Sequence, residues 1–94
     1  MKAYEIMYIV KPIADELFEA LNNKFKTLIE SNGGVIEKFE HWGKKRLAYE
    51  MNGCNEGLYV LVAFEAESAC VKEVDRVLKV TDNILRHMII RKEC

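Results

Sequence analysis

Ninety-four residues, half of them hydrophobic and 31% charged, supply enough apolar material for one small core and exclude both a disordered chain and a large multi-step enzyme. Fourteen lysines and arginines stand against 15 aspartates and glutamates, a net charge of −1, so the chain lacks the overall positive field that draws a histone-like protein onto nucleic acid. Any basic surface must be local.

The longest apolar stretches, such as Leu58–Phe64, fall far short of the roughly 20 residues of a spanning helix, so no membrane contact is expected. The N-terminal MKAYEIMYIV leads straight into an alternating pattern without a small-residue cleavage site, which argues against a secretory signal. Cys54, Cys70 and Cys94 form no C-x-x-C pair and are odd in number, the pattern of thiols in a reducing cytoplasm. No repeat, low-complexity tract or linker interrupts 1–94, so one domain is expected.

Tyr4–Val10 alternates, with Tyr4, Ile6, Tyr8 and Val10 on one face, and reads as a strand that Lys11-Pro12 ends. From Asp15 the spacing becomes helical: Leu17, Phe18, Leu21, Phe25, Leu28 and Ile29 recur, acids lie first and Lys24 and Lys26 later, and Gly33-Gly34 supplies a left-handed stop. Val35–Met51 reads as extended, interrupted at Gly43. Asn52 to Gly57 then forms a turn-rich loop back into Leu58–Glu65. A second helix opens at Glu67-Ser68, with Ser68 as its N-cap and Cys70, Val71, Val74, Val77 and Leu78 as its stripe. Thr81-Asp82-Asn83 ends it, and Ile84–Ile90 is the last strand. The order β-α-β-β-α-β is the α+β, ferredoxin-like plan: two helices on one face of a four-stranded antiparallel sheet, with the first and third strands central.

Two consequences bear on function. Seventeen extended residues from Val35 to Met51 would reach about 56 Å, whereas a compact chain of this length has a diameter of roughly 30 Å. The strand must bend at Gly43 or project as an arm, and either outcome exposes Lys44-Lys45-Arg46. In addition, the sheet face without helices carries Met7, Ile9, Tyr59 and Leu61, and so apolar a face usually meets something.

Lys44-Lys45-Arg46 beside Tyr49 suits a phosphate backbone, with Arg as a planar fork and Tyr as a stacking surface. The same run also suits an edge strand that uses lysine against aggregation. Lys2, Arg86, Arg91 and Lys92 lie on neighbouring strands of this plan and could join in one cluster. His41, Trp42 and His87 lack the His-x-x-x-His or cysteine pair of a metal site, Cys70 falls on an apolar helix face, and no phosphate loop is present. Glu56 to Phe64 matches the third-strand motif of RNA-recognition domains only weakly, and the Gly-Arg loop of acylphosphatases is absent after the first strand.

At Tyr4-Glu5-Ile6-Met7-Tyr8-Ile9-Val10 with Pro12, at Trp42-Gly43-Lys44-Lys45-Arg46-Leu47-Ala48-Tyr49 and at Asp82-Asn83-Ile84-Leu85-Arg86, the chain resembles the bacterial small ribosomal subunit protein six family. The second segment looks like that family's signature of a glycine, a basic cluster and L-[A/S]-Y, and the resemblance runs the length of the chain. It implies a non-catalytic, cytoplasmic ribosomal protein without cofactor, metal or small-molecule substrate. Its partners would be the central domain of the small-subunit ribosomal RNA and the basic small-subunit ribosomal protein eighteen. It further implies RNA-facing charge at Lys2, Lys44, Lys45, Arg46, Arg86, Arg91 and Lys92. The chain departs from the pattern at Ala3, where members often carry a second basic residue, and at Cys94, beyond which many continue into a longer tail.

Two to four phosphate contacts would give a log–log salt slope of only about −2 to −4, too little for tight solitary binding. A basic partner docked over Met7, Ile9, Tyr59 and Leu61 would supply the missing charge. The competing reading is a small regulatory or metabolite-binding domain of the same fold, which requires a closed pocket with convergent polar groups.

Overall fold

In the computed structural model, strand β1 spans Lys2–Val10, helix α1 Asp15–Ser31, β2 Val35–Met51, β3 Cys54–Ala66, α2 Ser68–Val80 and β4 Ile84–Lys92. Described are residues 1–51 and 53–92, with side chains at 1–47 and 53–92. The expectations for the Tyr49 side chain, for Asn52 and for Cys94 lie outside the described residues. The strands run in the order β2-β3-β1-β4 with every neighbouring pair antiparallel, which is the ferredoxin-like plan.

The alternation in β1 does what its spacing dictates. Tyr4, Ile6, Tyr8 and Val10 sink beneath the helices and meet Val60, Val62 and Phe64 of β3 in one core. Phe18, Leu21, Phe25 and Ile29 of α1 and Cys70, Val74 and Leu78 of α2 close that core from the other side. Each large apolar side chain so buried contributes roughly 1.5–3 kcal/mol. Leu17 stands at 60% exposure in the first turn, because the buried stripe starts at Phe18. Two polar groups share the interior: the Tyr8 hydroxyl donates to Asn22 Oδ1 at 2.6 Å.

Helix α1 stops where the glycines predict. Gly33 takes φ +85°, Gly34 N–H donates to the Ile29 carbonyl at 2.8 Å, and the Asn32 side-chain amide donates to the Leu28 carbonyl at 2.8 Å, so these carbonyls of the last turn are satisfied. The last turn holds no basic residue, so Lys24 and Lys26 stand too early to complement the dipole, which acts only within that turn. Lys26 instead places its ammonium 4.1 Å from the centre of the Phe39 ring. In α2 the N-cap is Glu67, in extended conformation, and Ser68 is already helical. No side chain caps this end; the Glu67 carboxylate faces the N-terminal amine of Met1 at 3.4 Å.

Strand β3 begins at Cys54, paired with Met51, so most of the segment expected to be loop continues the ladder. Cross-strand pairing along a long hairpin outweighs the poor strand propensity of Asn55, Glu56 and Gly57. Strand β2 neither runs straight nor breaks. Its register against β3 slips between Ile36 and Lys38, between His41 and Gly43 and between Arg46 and Met51, and the first two slips leave Glu37 and Trp42 as extra residues of two bulges. Gly43 takes φ +84°, a left-handed conformation that suits glycine at such a bulge. The bends keep the longest dimension at 37 Å with a radius of gyration of 13.0 Å.

Candidate functional site

The pairing registers place the open sheet face residue by residue, because directly opposed residues share a face. One row reads Gly43, Tyr59, Ile9, Arg86; the next Glu40, Leu61, Met7, Met88; then Lys38, Ala63, Glu5, Ile90; and last Val35, Glu65, Ala3, Lys92. Three zones result. One end is cationic, the middle is apolar with Glu40 at its β2 edge, and the far end sets Glu5 and Glu65 among Lys38 and Lys92.

At the cationic end Lys44, Lys45 and Arg46 oppose Leu58, Gly57 and Glu56, and all three are exposed. Alternation puts Lys45 on the open face and its two neighbours on the other, so the tip of the hairpin presents positive charge to both sides. Arg86, opposite Ile9, belongs to this same end but lies on the far edge strand. Lys2, Arg91 and Lys92 lie at the other end of the sheet, where they pair with Ala66, Tyr4 and Ala3. Arg86 is five residues from Arg91, about 17 Å along β4, so the four do not form the single cluster expected. Adjacent strands bring residues together only at equal register, and these differ by the length of a strand. Lys92 also meets Glu5 at 3.8 Å, an exposed pair worth little energy.

In the apolar middle, Met7, Tyr59 and Leu61 are half-buried, as a side chain on an uncovered sheet would be. Ile9 is different: it is only 8% exposed. A Cβ placed on Gly57 would overlap its Cγ2 and come within 3.4 Å of Leu47 Cδ2, which shows how tightly Ile9, Gly57 and Leu47 pack. Ile9 is thus the floor of the surface rather than its contact layer. Met88 at 47% and Ile90 at 49% exposure extend the apolar zone onto β4, and Trp42 at 42% extends it toward β2. These three escaped the sequence reading; the signal for two of them was the alternation Met88, Ile90 against His87, Ile89.

At the far end Glu37 and Glu65 share a hydrogen bond, and that bond together with the repulsion between them raises the Glu37 carboxyl above its ordinary range. At the edge of the apolar middle, Glu40 is held below its range, first by Lys38 and then by the Trp42 indole N–H, which donates to Oε2 at 2.7 Å.

The histidines have structural surroundings. The His41 ring tilts against Phe18 with centroids 4.6 Å apart, and His87 Nε2 lies 2.8 Å from Asp75 Oδ1 on α2. Beneath the helices, Asp15, Glu19, Asn22, Lys26, Phe39 and His41 border a groove of about 430 Å³ between α1 and β2. Its polar groups line an open trough rather than converge in a closed pocket.

Comparison with known proteins decides the lineage. The family model for ribosomal protein S6 matches residues 3–91. The chain belongs to the ribosomal protein S6 family. It is 52% identical to small ribosomal subunit protein bS6 of Desulforamulus reducens over 98% of either chain, and 46% identical to that of Clostridium kluyveri over 99% of either. The crystal structure of 30S ribosomal protein S6 from Thermotoga maritima superposes with a TM-score of 0.92 at 32% identity, covering 97% of this chain and 87% of the other. As a member of the S6 family the chain is a non-enzymatic constituent of the bacterial small ribosomal subunit, in the cytoplasm. The metabolite-binding alternative falls with that assignment.

Proposed function

We propose that this S6-family chain binds the central domain of the small-subunit ribosomal RNA as one half of a pair with small-subunit ribosomal protein eighteen. The observation that carries this reading is the zoning of the open face. On that face Lys45 and Arg86 mark a cationic end, with Lys44 and Arg46 on the other side of the same hairpin tip; an apolar middle edged by Glu40 adjoins it, and Glu5, Glu37 and Glu65 lie beyond, interspersed with Lys38 and Lys92. RNA phosphates are drawn to the first zone. A basic protein partner covers the second through Met7, Tyr59 and Leu61 above the Ile9 floor, and reaches the Glu37 and Glu65 carboxylates of the third. Lys2, Arg91 and Lys92, at the opposite end of the sheet, reach only a different segment of RNA.

The test is retardation of a central-domain RNA fragment by each protein alone and by both together. The pair binds tightly and this chain alone binds weakly; equally tight solitary binding refutes the pairing. Reversal of Lys44, Lys45 and Arg46 to Glu leaves the fold intact, since all three are exposed, and abolishes retardation by the pair. Assembly that survives the triple change removes the hairpin tip from the RNA contact.

A further inference from the structure

Trp42 has no place in the core. It is 42% exposed, it is the only tryptophan in the chain, and it occupies the unpaired position of a bulge in an edge strand. An indole left in water forgoes burial energy, yet this one is held in a fixed pose: its N–H donates to Glu40 Oε2 at 2.7 Å, and Glu40 is anchored in turn by the Lys38 ammonium on its other oxygen. The bulge is what aims it. With φ +84° at Gly43, the chain inserts one residue between the pairs His41–Val60 and Gly43–Tyr59 and then continues directly into Lys44-Lys45-Arg46. The Lys45 ammonium lies 5.7 Å from the indole centroid, inside cation–π range. The acid that holds the indole, Glu40, already faces Lys38, which leaves the Lys45 charge beside the ring uncompensated by it.

We infer that Trp42 is a stacking platform for one unpaired nucleobase of the RNA, with Lys45 and its neighbours taking the phosphates on either side of that base. This deepens the RNA reading above and rests on it. The chemistry fits the geometry: a flat, exposed, pre-oriented π-surface beside cations is how proteins hold a splayed base without reading its sequence. A protein side chain would need no such cationic border, and a bare phosphate would need no indole.

The experiment uses the full chain with protein eighteen and the central-domain RNA fragment. Trp42→Ala is expected to weaken assembly about 5- to 150-fold, the range for loss of one stacked base, while Trp42→Phe retains most of the affinity. Because Trp42 is the sole tryptophan, its fluorescence reports the contact directly. Oligoadenylate at low salt is expected to quench it, whereas inorganic polyphosphate, which has charge and no bases, is expected to bind and leave it unchanged. If Trp42→Ala assembles like the wild type while the Lys44, Lys45, Arg46 reversal fails, the RNA reading stands and the platform is overturned. If the emission changes on adding protein eighteen before any RNA, Trp42 is a protein contact and the platform is overturned. If the charge reversal has no effect, both readings fall together.

Discussion

The Tyr8 to Asn22 hydrogen bond joins the central strand to α1 inside the core, and its removal has a calculable cost. Tyr8 is 1% and Asn22 7% exposed, and the 2.6 Å bond is the partner each gives the other. Tyr8→Phe keeps the ring against Phe25, whose centroid lies 5.3 Å away, and deletes only the hydroxyl. A buried acceptor left without a donor costs about 1–3 kcal/mol. Asn22 also borders the groove between α1 and β2, where water can reach it in part, so the lower half of that range applies, about 1–2 kcal/mol. For a chain of this size that lowers Tm by roughly 5–15 °C. Urea unfolding of Tyr8→Phe, Asn22→Leu and the double variant gives the cycle. The double variant is expected to be less costly than the sum of the single changes by about 1 kcal/mol or more, because no polar group is then stranded. Additive costs, or a Tyr8→Phe chain as stable as the parent, would refute the reasoning. Alkaline unfolding gives a second readout. Burial pushes the Tyr8 hydroxyl far above the ordinary tyrosine range. The stability it contributes is therefore fully present below that range and is lost as pH rises past about 10. Tyr8→Phe lacks this added loss above pH 10.

Two further expectations concern the sheet and its helix contact. Gly57→Ala forces a methyl group into Ile9 Cγ2 and destabilises by about 1–3 kcal/mol in urea unfolding, and Ile9→Leu, which moves the branch outward, recovers part of it. Asp75 is held below the ordinary aspartate range first by the His87 ring and then by Lys79, so it stabilises the fold above that range and ceases to as acid protonates it. Asp75→Asn thus lowers the urea midpoint at neutral pH, and the gap to the parent closes on titration toward pH 3.

The fold was legible where periodicity and burial agree. Tyr4, Ile6, Tyr8 and Val10 have the period of two that a half-covered strand demands, and Phe18, Leu21, Phe25 and Ile29 have the spacing of one helix face. Strand β2 was not legible in this way. Each bulge exchanges the inward and outward positions, so Ile36 faces the helices at an even number, Phe39 and His41 at odd ones, and Lys44 opposes helix-facing Leu58 at an even one again. No single alternation describes such a strand, and Trp42 could not be assigned a side from its neighbours. The basic run was readable because three adjacent cations must be exposed whichever side they take. The division of the remaining cations between two ends was not, because it depends on register, which composition does not encode.

The two bulges in β2 also bear on how free chains meet one another before assembly. An edge strand offers a row of backbone donors and acceptors to any passing strand, and a regular row is the better template. Along β2 that row is broken at Glu37 and Trp42 and bordered by Lys38, Lys44 and Lys45, and its 17 residues against the 13 of β3 leave it too irregular to zip onto a neighbour. Strand β4 keeps an even pairing from Arg86 to Lys92 and carries exposed Met88 and Ile90. Unwanted strand-on-strand association is therefore directed to β4, the edge farthest from the hairpin tip, and Lys44, Lys45 and Arg46 stay available to their own target.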